Sequence, residues 1–267
     1  MSIADWIDER EMSGYTTFSV EDVVKALPDA SLKNISSSLW RLTEKHRIAL
    51  VQKAFYVIVP PVNRRDGIVS PFYYINNLMR KIGRDYYVGL LTAASLHGAT
   101  HQAVMTCDVM LPYPHISFSG HRNNQLSWHY RASIPMEFVE RRKTDTGYMN
   151  VSSPELTALD LVRHSKESGG LSHVATVLAE LSEKLDFRKS DGKALLTASG
   201  ATVQRLGYIL ERTIGNSEVV EVLYDYWRKL FPQSRSIPLI RDGVLDKVER
   251  NDRWKVLVNA NFEVDDL

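Results

Sequence analysis

The sequence holds a single cysteine, Cys107. One thiol cannot close an internal disulfide, so nothing ties the chain to an oxidising compartment or to a small cross-linked scaffold. Long apolar runs are missing as well, since no stretch approaches the ~18 residues needed to span a bilayer. The opening segment MSIADWIDEREM is charged and amphipathic, without the apolar stretch and small-residue cleavage site of a secretory signal. A soluble, cytoplasmic protein with no membrane contact is the expectation. Catalytic motifs are equally scarce. There is no GxSxG, no glycine-rich phosphate loop, and no serine and histidine with a supporting acid in a recognisable context. The sequence implies no cofactor, and an enzyme is not expected.

Net charge is nearly absent too, with 33 Lys and Arg against 32 Asp and Glu. Its distribution is uneven. Residues 1 to 32 carry Arg10 and Lys25 against seven acids, a balance of −5, whereas residues 33 to 84 carry ten cations against Glu44 and Asp66, a balance of +8. A local basic stretch of this kind is the electrostatic footprint of a phosphate-binding face. With 267 residues, of which 44% are hydrophobic and 24% charged, the chain can bury a real core, and two domains are expected.

Within the first sixty residues, Ile3, Trp6 and Ile7 recur at helical spacing. Ser19 then precedes VEDVVKAL with Asp22 three residues on, the signature of a helix start, and Pro28 ends that helix. After the turn PDAS, Leu32, Ile35, Leu39 and Leu42 form an apolar stripe over Leu32 to His46. The opposite face carries Lys33, Asn34, Ser37, Arg41 and Glu44, with Lys45 beside it. Trp40, on the flank, is expected to pack under the hairpin that follows. In that hairpin, IALVQKAFYVIV, the polar pair Gln52-Lys53 is placed at the tip.

Helix, short helix, turn, long helix, hairpin is the order of a winged helix-turn-helix. There the third helix enters the major groove and the hairpin tip lies on the backbone. Arginine and lysine bond guanine or phosphate, asparagine bonds adenine, and small serines permit close approach. The expected DNA-binding set is therefore Lys33, Asn34, Ser37, Arg41, Lys45, Gln52 and Lys53, joined by Arg64 and Arg65 from the basic turn PPVNRRDG. A merely solvated helix face is the plainer account of the same residues.

The basic turn is the expected boundary between a DNA-binding domain over 1–62 and a mixed domain over 68–267. Beyond it, PFYYINNLMRKIG and DYYVGLLTAASLHG read as helices, the first with Ile75, Leu78, Met79 and Ile82 inward. MTCDVML, HISFSG, LSWHYRA and MEFVERR have the spacing of a small antiparallel sheet. From Asn150 the pattern turns helical. Ser153 is an N-cap with Pro154 at the first position, and LSHVATVLAELSEKL, GATVQRLGYILERTIG and SEVVEVLYDYWRKLF continue as a helical bundle. WKVLVNANFEV is strand-like. The expected class is α+β: an N-terminal winged helix-turn-helix, then a small antiparallel sheet and a helical bundle.

The basic N-terminal segment, DYYVGLLTAASLHGATHQ, the SPELTALDLV helix and the terminal NDRWKVLVNANFEVDD, in that order over essentially the whole chain, resemble the AbiEi-type antitoxins. These are also described as predicted transcriptional regulators of viral defence, or abortive-infection, systems. No one of the motifs is chemically diagnostic; the combination carries the likeness. The resemblance implies a winged domain that represses its own promoter and a C-terminal domain that counteracts a co-encoded nucleotidyltransferase-like toxin. It implies a type IV system, in which neutralisation does not require a stable complex with the toxin. A winged-helix regulator unrelated to any toxin is the first alternative.

Other constellations point elsewhere. His97 and His101 stand four apart, a metal-ligand spacing on a helix, but Gly98 and Thr100 lie between them. Asp108, Glu137, Glu140 and Lys143 have the residue types of a metal-dependent nuclease, yet Glu140 and Lys143 are three apart where such a site places its acid and lysine two apart. No metal site is expected. Arg253, Trp254 and Asn259 form the polar end of an apolar tail. They either close the C-terminal domain or present a contact surface for a partner.

Overall fold

The computed structural model describes residues 1–100, 105–116, 125–246 and 248–263. The chain divides into two compact units. One comprises Met1–Tyr86, Val109–Ile134 and Arg141–Asn150; the other comprises Tyr87–Asp108, Pro135–Glu140 and Val151–Leu267.

The first unit begins with α1 (Ile3–Met12), whose Ser2 and Asp5 cap each other's backbone and whose Ile3, Trp6 and Ile7 are buried. A short strand β1 (Thr17–Ser19) leads into α2 (Val20–Ala26). Ser19 and Asp22 form the expected capping box, satisfying backbone N–H groups that a helix start leaves bare. Helix α3 (Leu32–Glu44) starts at Ser31, whose hydroxyl accepts the Asn34 N–H. Strands β2 (Ile48–Gln52) and β3 (Phe55–Ile58) pair antiparallel, and β1 joins β3 on its other side. Trp6 meets Phe18 edge to face at 5.5 Å, Phe18 stacks on Tyr56 at 5.4 Å, and Ile35, Leu39, Ile48 and Ile58 fill the remaining core.

Three expectations change here. Leu32 is 67% exposed, because as the first helical residue it lies at the open end of α3; the buried stripe is Ile35 and Leu39, with Leu42 packed against it. Gln52 pairs with Phe55, so the hairpin turn is Lys53-Ala54 and not Gln52-Lys53, with Ala54 taking the left-handed φ of +58° that the tight turn demands. Trp40 does not pack under the hairpin and is 64% exposed.

Helix α4 (Ile75–Ile82) buries Ile75, Leu78 and Met79, follows a 3-10 turn at Pro71–Tyr73, and is closed by Gly83 at φ +72°. The DYYVGLLTAASLHG segment is not one helix. Tyr87–Val88 form β4, Gly89 is an extended N-cap, and α5 spans Leu90–Leu96. Strands β5 (Cys107–Pro112), β6 (Leu126–Arg131), β7 (Val139–Thr144) and β8 (Gly147–Ser152) follow. The sheet order is β6-β5-β4-β8-β7. It is mixed where antiparallel was expected, since Val88 of β4 pairs parallel with Val151 of β8. Most of HISFSG lies outside the described residues. Strand β8 runs up to the expected helix start at Ser153, with Met149 and Val151 alternating inward.

In the second unit α6 (Pro154–Arg163) starts at the expected Ser153 cap and buries every residue from Glu155 to Val162. Buried Asp160 accepts the Tyr87 hydroxyl at 2.5 Å. Helices α7 (Leu171–Leu181), α8 (Gly200–Ile214) and α9 (Glu218–Leu230) pack with it. Helix α8 is central, buried without interruption from Thr202 to Leu210. A second small sheet, β9 (Ile237–Pro238), β10 (Glu249–Asn251) and β11 (Val256–Val258), has β11 in the middle, antiparallel to β10 and parallel to β9.

Candidate nucleic-acid interface

At 100° per residue, the buried Ile35 and Leu39 define the inward direction of α3. Lys33, Ser37, Trp40 and Glu44 then fall on the outward face, with Asn34 and Arg41 beside them, and all six are exposed. Arg41 donates to Ser38 Oγ at 3.2 Å, a tie along the helix surface that leaves its charge in solvent. Lys45 caps the helix and is exposed; Lys53 is exposed at the hairpin turn, and Gln52 behind it is half-buried.

The local charge contrast partly cancels on folding. Asp8 pairs with Arg47, Glu11 with Arg64, and Glu21 with Lys81, so acids of the first segment fold back on cations of the second. Arg64 is held in place: two bonds to Glu11 at 3.0 and 2.9 Å and one from Nε to the Val59 carbonyl at 3.3 Å. Its neighbour Arg65 is exposed. Of the nine residues expected to meet DNA, Arg64 is engaged by an acid; Lys33, Arg41, Lys45, Lys53 and Arg65 are exposed. Trp40, on the same outward face of α3, is the residue that sequence reasoning misplaced. Its hydrophobicity argued for burial, and only the helix phase set by Ile35 and Leu39 places it outside.

The tail residues form a different assembly. Trp254 is wholly buried, packs on Trp227 at 5.4 Å and Tyr224 at 5.3 Å, and donates its indole N–H to Glu211. Arg253 bonds Glu221 at 2.8 Å and Glu211 at 3.3 Å and lies 4.5 Å over the Tyr224 ring; the Glu221 bond raises its pKa. Asn259 accepts the Ile240 N–H at 2.9 Å and donates to its carbonyl at 2.8 Å. These side chains close the helical unit, and Trp254 has no surface to offer a partner.

The remaining candidates do not assemble. His97 Nε2 lies 2.8 Å from the Ser152 carbonyl, an acceptor, so that nitrogen carries a proton and has no lone pair for a metal. His101 lies outside the described residues. Asp108 is buried and accepts the Thr92 hydroxyl at 3.2 Å, whereas Glu137, Glu140 and Lys143 are exposed. Among the described residues no three His, Cys, Asp or Glu side chains gather as a metal site. Cys107 is buried, and burial pushes its thiol pKa up, which keeps it protonated and unreactive. No helix among the described residues is long and apolar enough to cross a membrane.

Residues 87–212 match the family model of the AbiEi antitoxin C-terminal domain. No curated protein matches the chain in sequence. Among solved structures, the crystal structure of the RV2827C protein from Mycobacterium tuberculosis has a TM-score of 0.70 at 12% identity, over 97% of this chain and 90% of that one. At that identity the likeness is one of fold.

Proposed function

From the match of residues 87–212 to the AbiEi antitoxin C-terminal domain, we propose that the chain is the DNA-binding antitoxin and autorepressor of a type IV toxin–antitoxin system. In this reading residues 1–62 are a winged helix-turn-helix that binds double-stranded DNA at the chain's own promoter. Residues 68–267 counteract a nucleotidyltransferase-like toxin in the cytoplasm, as part of a phage-defence locus. The family matched is one of antitoxins, not of enzymes.

The observation that carries the DNA half is the phase of α3. Ile35 and Leu39 are each 1% exposed, while Lys33, Asn34, Ser37 and Arg41 face solvent, and Lys53 stands at the turn of the neighbouring hairpin. A helix so presented, flanked by a cationic hairpin tip, matches the shape and charge of a major groove with its phosphate walls.

The test is fluorescence anisotropy of the full chain on its own promoter and on random DNA over a range of salt. Promoter binding is expected to weaken steeply with salt as counterions are released. Arg41→Ala is expected to cost ~1–3 kcal/mol on the promoter if it bonds a base edge, and Lys53→Ala to weaken both DNAs equally. Equal affinity for the two DNAs, or Arg41→Ala binding like wild type, removes α3 as the reading helix. The antitoxin half is tested by co-expression with the product of a neighbouring nucleotidyltransferase-like gene. Growth is expected to recover with the full chain and to stay arrested without it.

A further inference from the structure

A cavity of about 430 Å³ opens in the helical unit, within the ~300–1,000 Å³ range of small-molecule sites. The end of α6 and the loop after it, the face of α8, and the chain that follows β9 supply its walls. Val162, Ile209 and Leu239 give it an apolar side.

Arg205, from the middle of α8, reaches into this wall and is only 8% exposed. Its Nε donates to the carbonyls of Leu239 at 2.9 Å and Pro238 at 3.1 Å, one Nη to Pro238 at 2.8 Å, and the other to Ala201 at 3.5 Å. Every partner is a neutral carbonyl. These acceptors satisfy N–H groups without cancelling the charge, and a guanidinium buried this deeply ordinarily sits against a carboxylate or phosphate. The nearby charge it feels is another cation: burial lowers the Arg205 pKa and Arg241 lowers it further.

The rest of the lining has the same sign. Arg163, Lys166, Arg205 and Arg241 stand against Glu167 and Asp242, four cations to two acids, a net +2. Lys166 and Asp242 neutralise each other. That leaves three arginines, one of them buried, against the single carboxylate of Glu167.

We propose that this cavity binds a small phosphomonoester with an apolar or aromatic body, of the size of a nucleoside monophosphate. The phosphate, near −2 at neutral pH, matches the +2 of the lining, and its oxygens accept the paired N–H groups that arginine presents. The body of the ligand lies on Val162, Ile209 and Leu239. Nothing in this assignment depends on DNA binding.

The test uses the full chain, with thermal unfolding and titration calorimetry against AMP, UMP, inorganic phosphate, adenosine and benzoate. At millimolar concentration AMP or UMP is expected to raise Tm by about 2 °C or more, inorganic phosphate by less, and adenosine not at all. Arg163 and Arg241 are exposed, so the double variant Arg163→Ala with Arg241→Ala keeps the fold; it is expected to bind the nucleotide at least tenfold more weakly. Arg241→Lys is expected to recover part of that loss. Absence of a shift with AMP, UMP and phosphate overturns the proposal. So does a nucleotide shift that the double variant leaves unchanged, or benzoate binding as tightly as AMP.

Discussion

A Cβ placed on Gly207 would lie 2.2 Å from Cζ3 of Trp254, so the indole rests directly on the backbone of α8. Glycine inside a helix is destabilising by about 1 kcal/mol relative to alanine, and at an exposed site Gly→Ala would raise stability. Here the sign reverses. Trp254 is wholly buried and fixed by Glu211, Trp227 and Tyr224, and cannot withdraw. Gly207→Ala is expected to cost about 1–3 kcal/mol by overpacking. Thermal unfolding by circular dichroism reads it, and a Tm at or above wild type would show that the indole has room to move.

Arg64 and Arg65 are adjacent cations in different settings, the first paired with Glu11 and the second exposed. Arg64 is bound twice to Glu11, so Arg64→Ala is expected to lower Tm, because it frees a half-buried carboxylate from its partner. Its effect on the salt dependence of DNA binding is expected to be small. Arg65 is exposed, and Arg65→Ala is expected to leave Tm unchanged while lowering the salt slope by about one unit if it meets a phosphate. Melting curves and salt-dependent anisotropy on the same two variants separate the roles. The reverse assignment would place Arg64 at the DNA and dissolve its structural role.

The features legible in the sequence are those whose cause is local. Ser19 with Asp22, and Ser153 with Pro154, announce their helices within four residues, and both are found where expected. The buried faces of α3 and α4 follow from period alone, except at the ends: Leu32 fits the stripe but is 67% exposed. What was not legible is set by distant partners. Tyr87 and Val88 continue a helical-looking run, and they become a strand because Val151 pairs with Val88. Lys81 reads as part of a free basic stretch until Glu21 meets it. The arginine-lined cavity draws its walls from three segments far apart in the chain, and no spacing rule joins them.

Asp22 links the start of α2 to pH. Burial pushes its pKa up, but the bonds it accepts from the Ser19 N–H at 2.7 Å and hydroxyl at 2.8 Å outweigh that, and the net pKa is lowered. A carboxylate depressed in the folded state contributes stability above its unfolded pKa of ~3.9 and loses it as pH falls through the folded value. Asp22→Asn keeps the shape and one acceptor but removes the charge. The variant is expected to melt below wild type at pH 7, with the gap closing as pH falls through the lowered folded-state pKa of Asp22. A gap that stays constant with pH would mean that the carboxylate charge plays no part in the cap.

Trp40 supplies the sharpest test of whether α3 reads DNA. It is 64% exposed and shares the outward face of the helix with Lys33 and Ser37. If that face enters the major groove as proposed, the indole meets base edges, where the apolar feature on offer is the thymine methyl group. Promoter DNA carrying deoxyuridine for thymidine lacks those methyls and keeps every hydrogen-bonding group. Burying one methyl-sized group is worth about 0.8 kcal/mol, close to fourfold in affinity. Wild type is therefore expected to bind the uridine promoter about fourfold more weakly for each contacted position. Trp40→Ala is expected to bind the natural promoter more weakly and to lose the distinction between the two DNAs. Leu39→Ala serves as the control for a damaged fold, since deleting a buried leucine costs about 2–5 kcal/mol and lowers Tm, whereas Trp40→Ala leaves Tm in place. Should wild type bind both promoters alike while Arg41→Ala still loses affinity, α3 reads DNA without its tryptophan. Should Trp40→Ala remain as sensitive to the missing methyls as wild type, another side chain makes that contact.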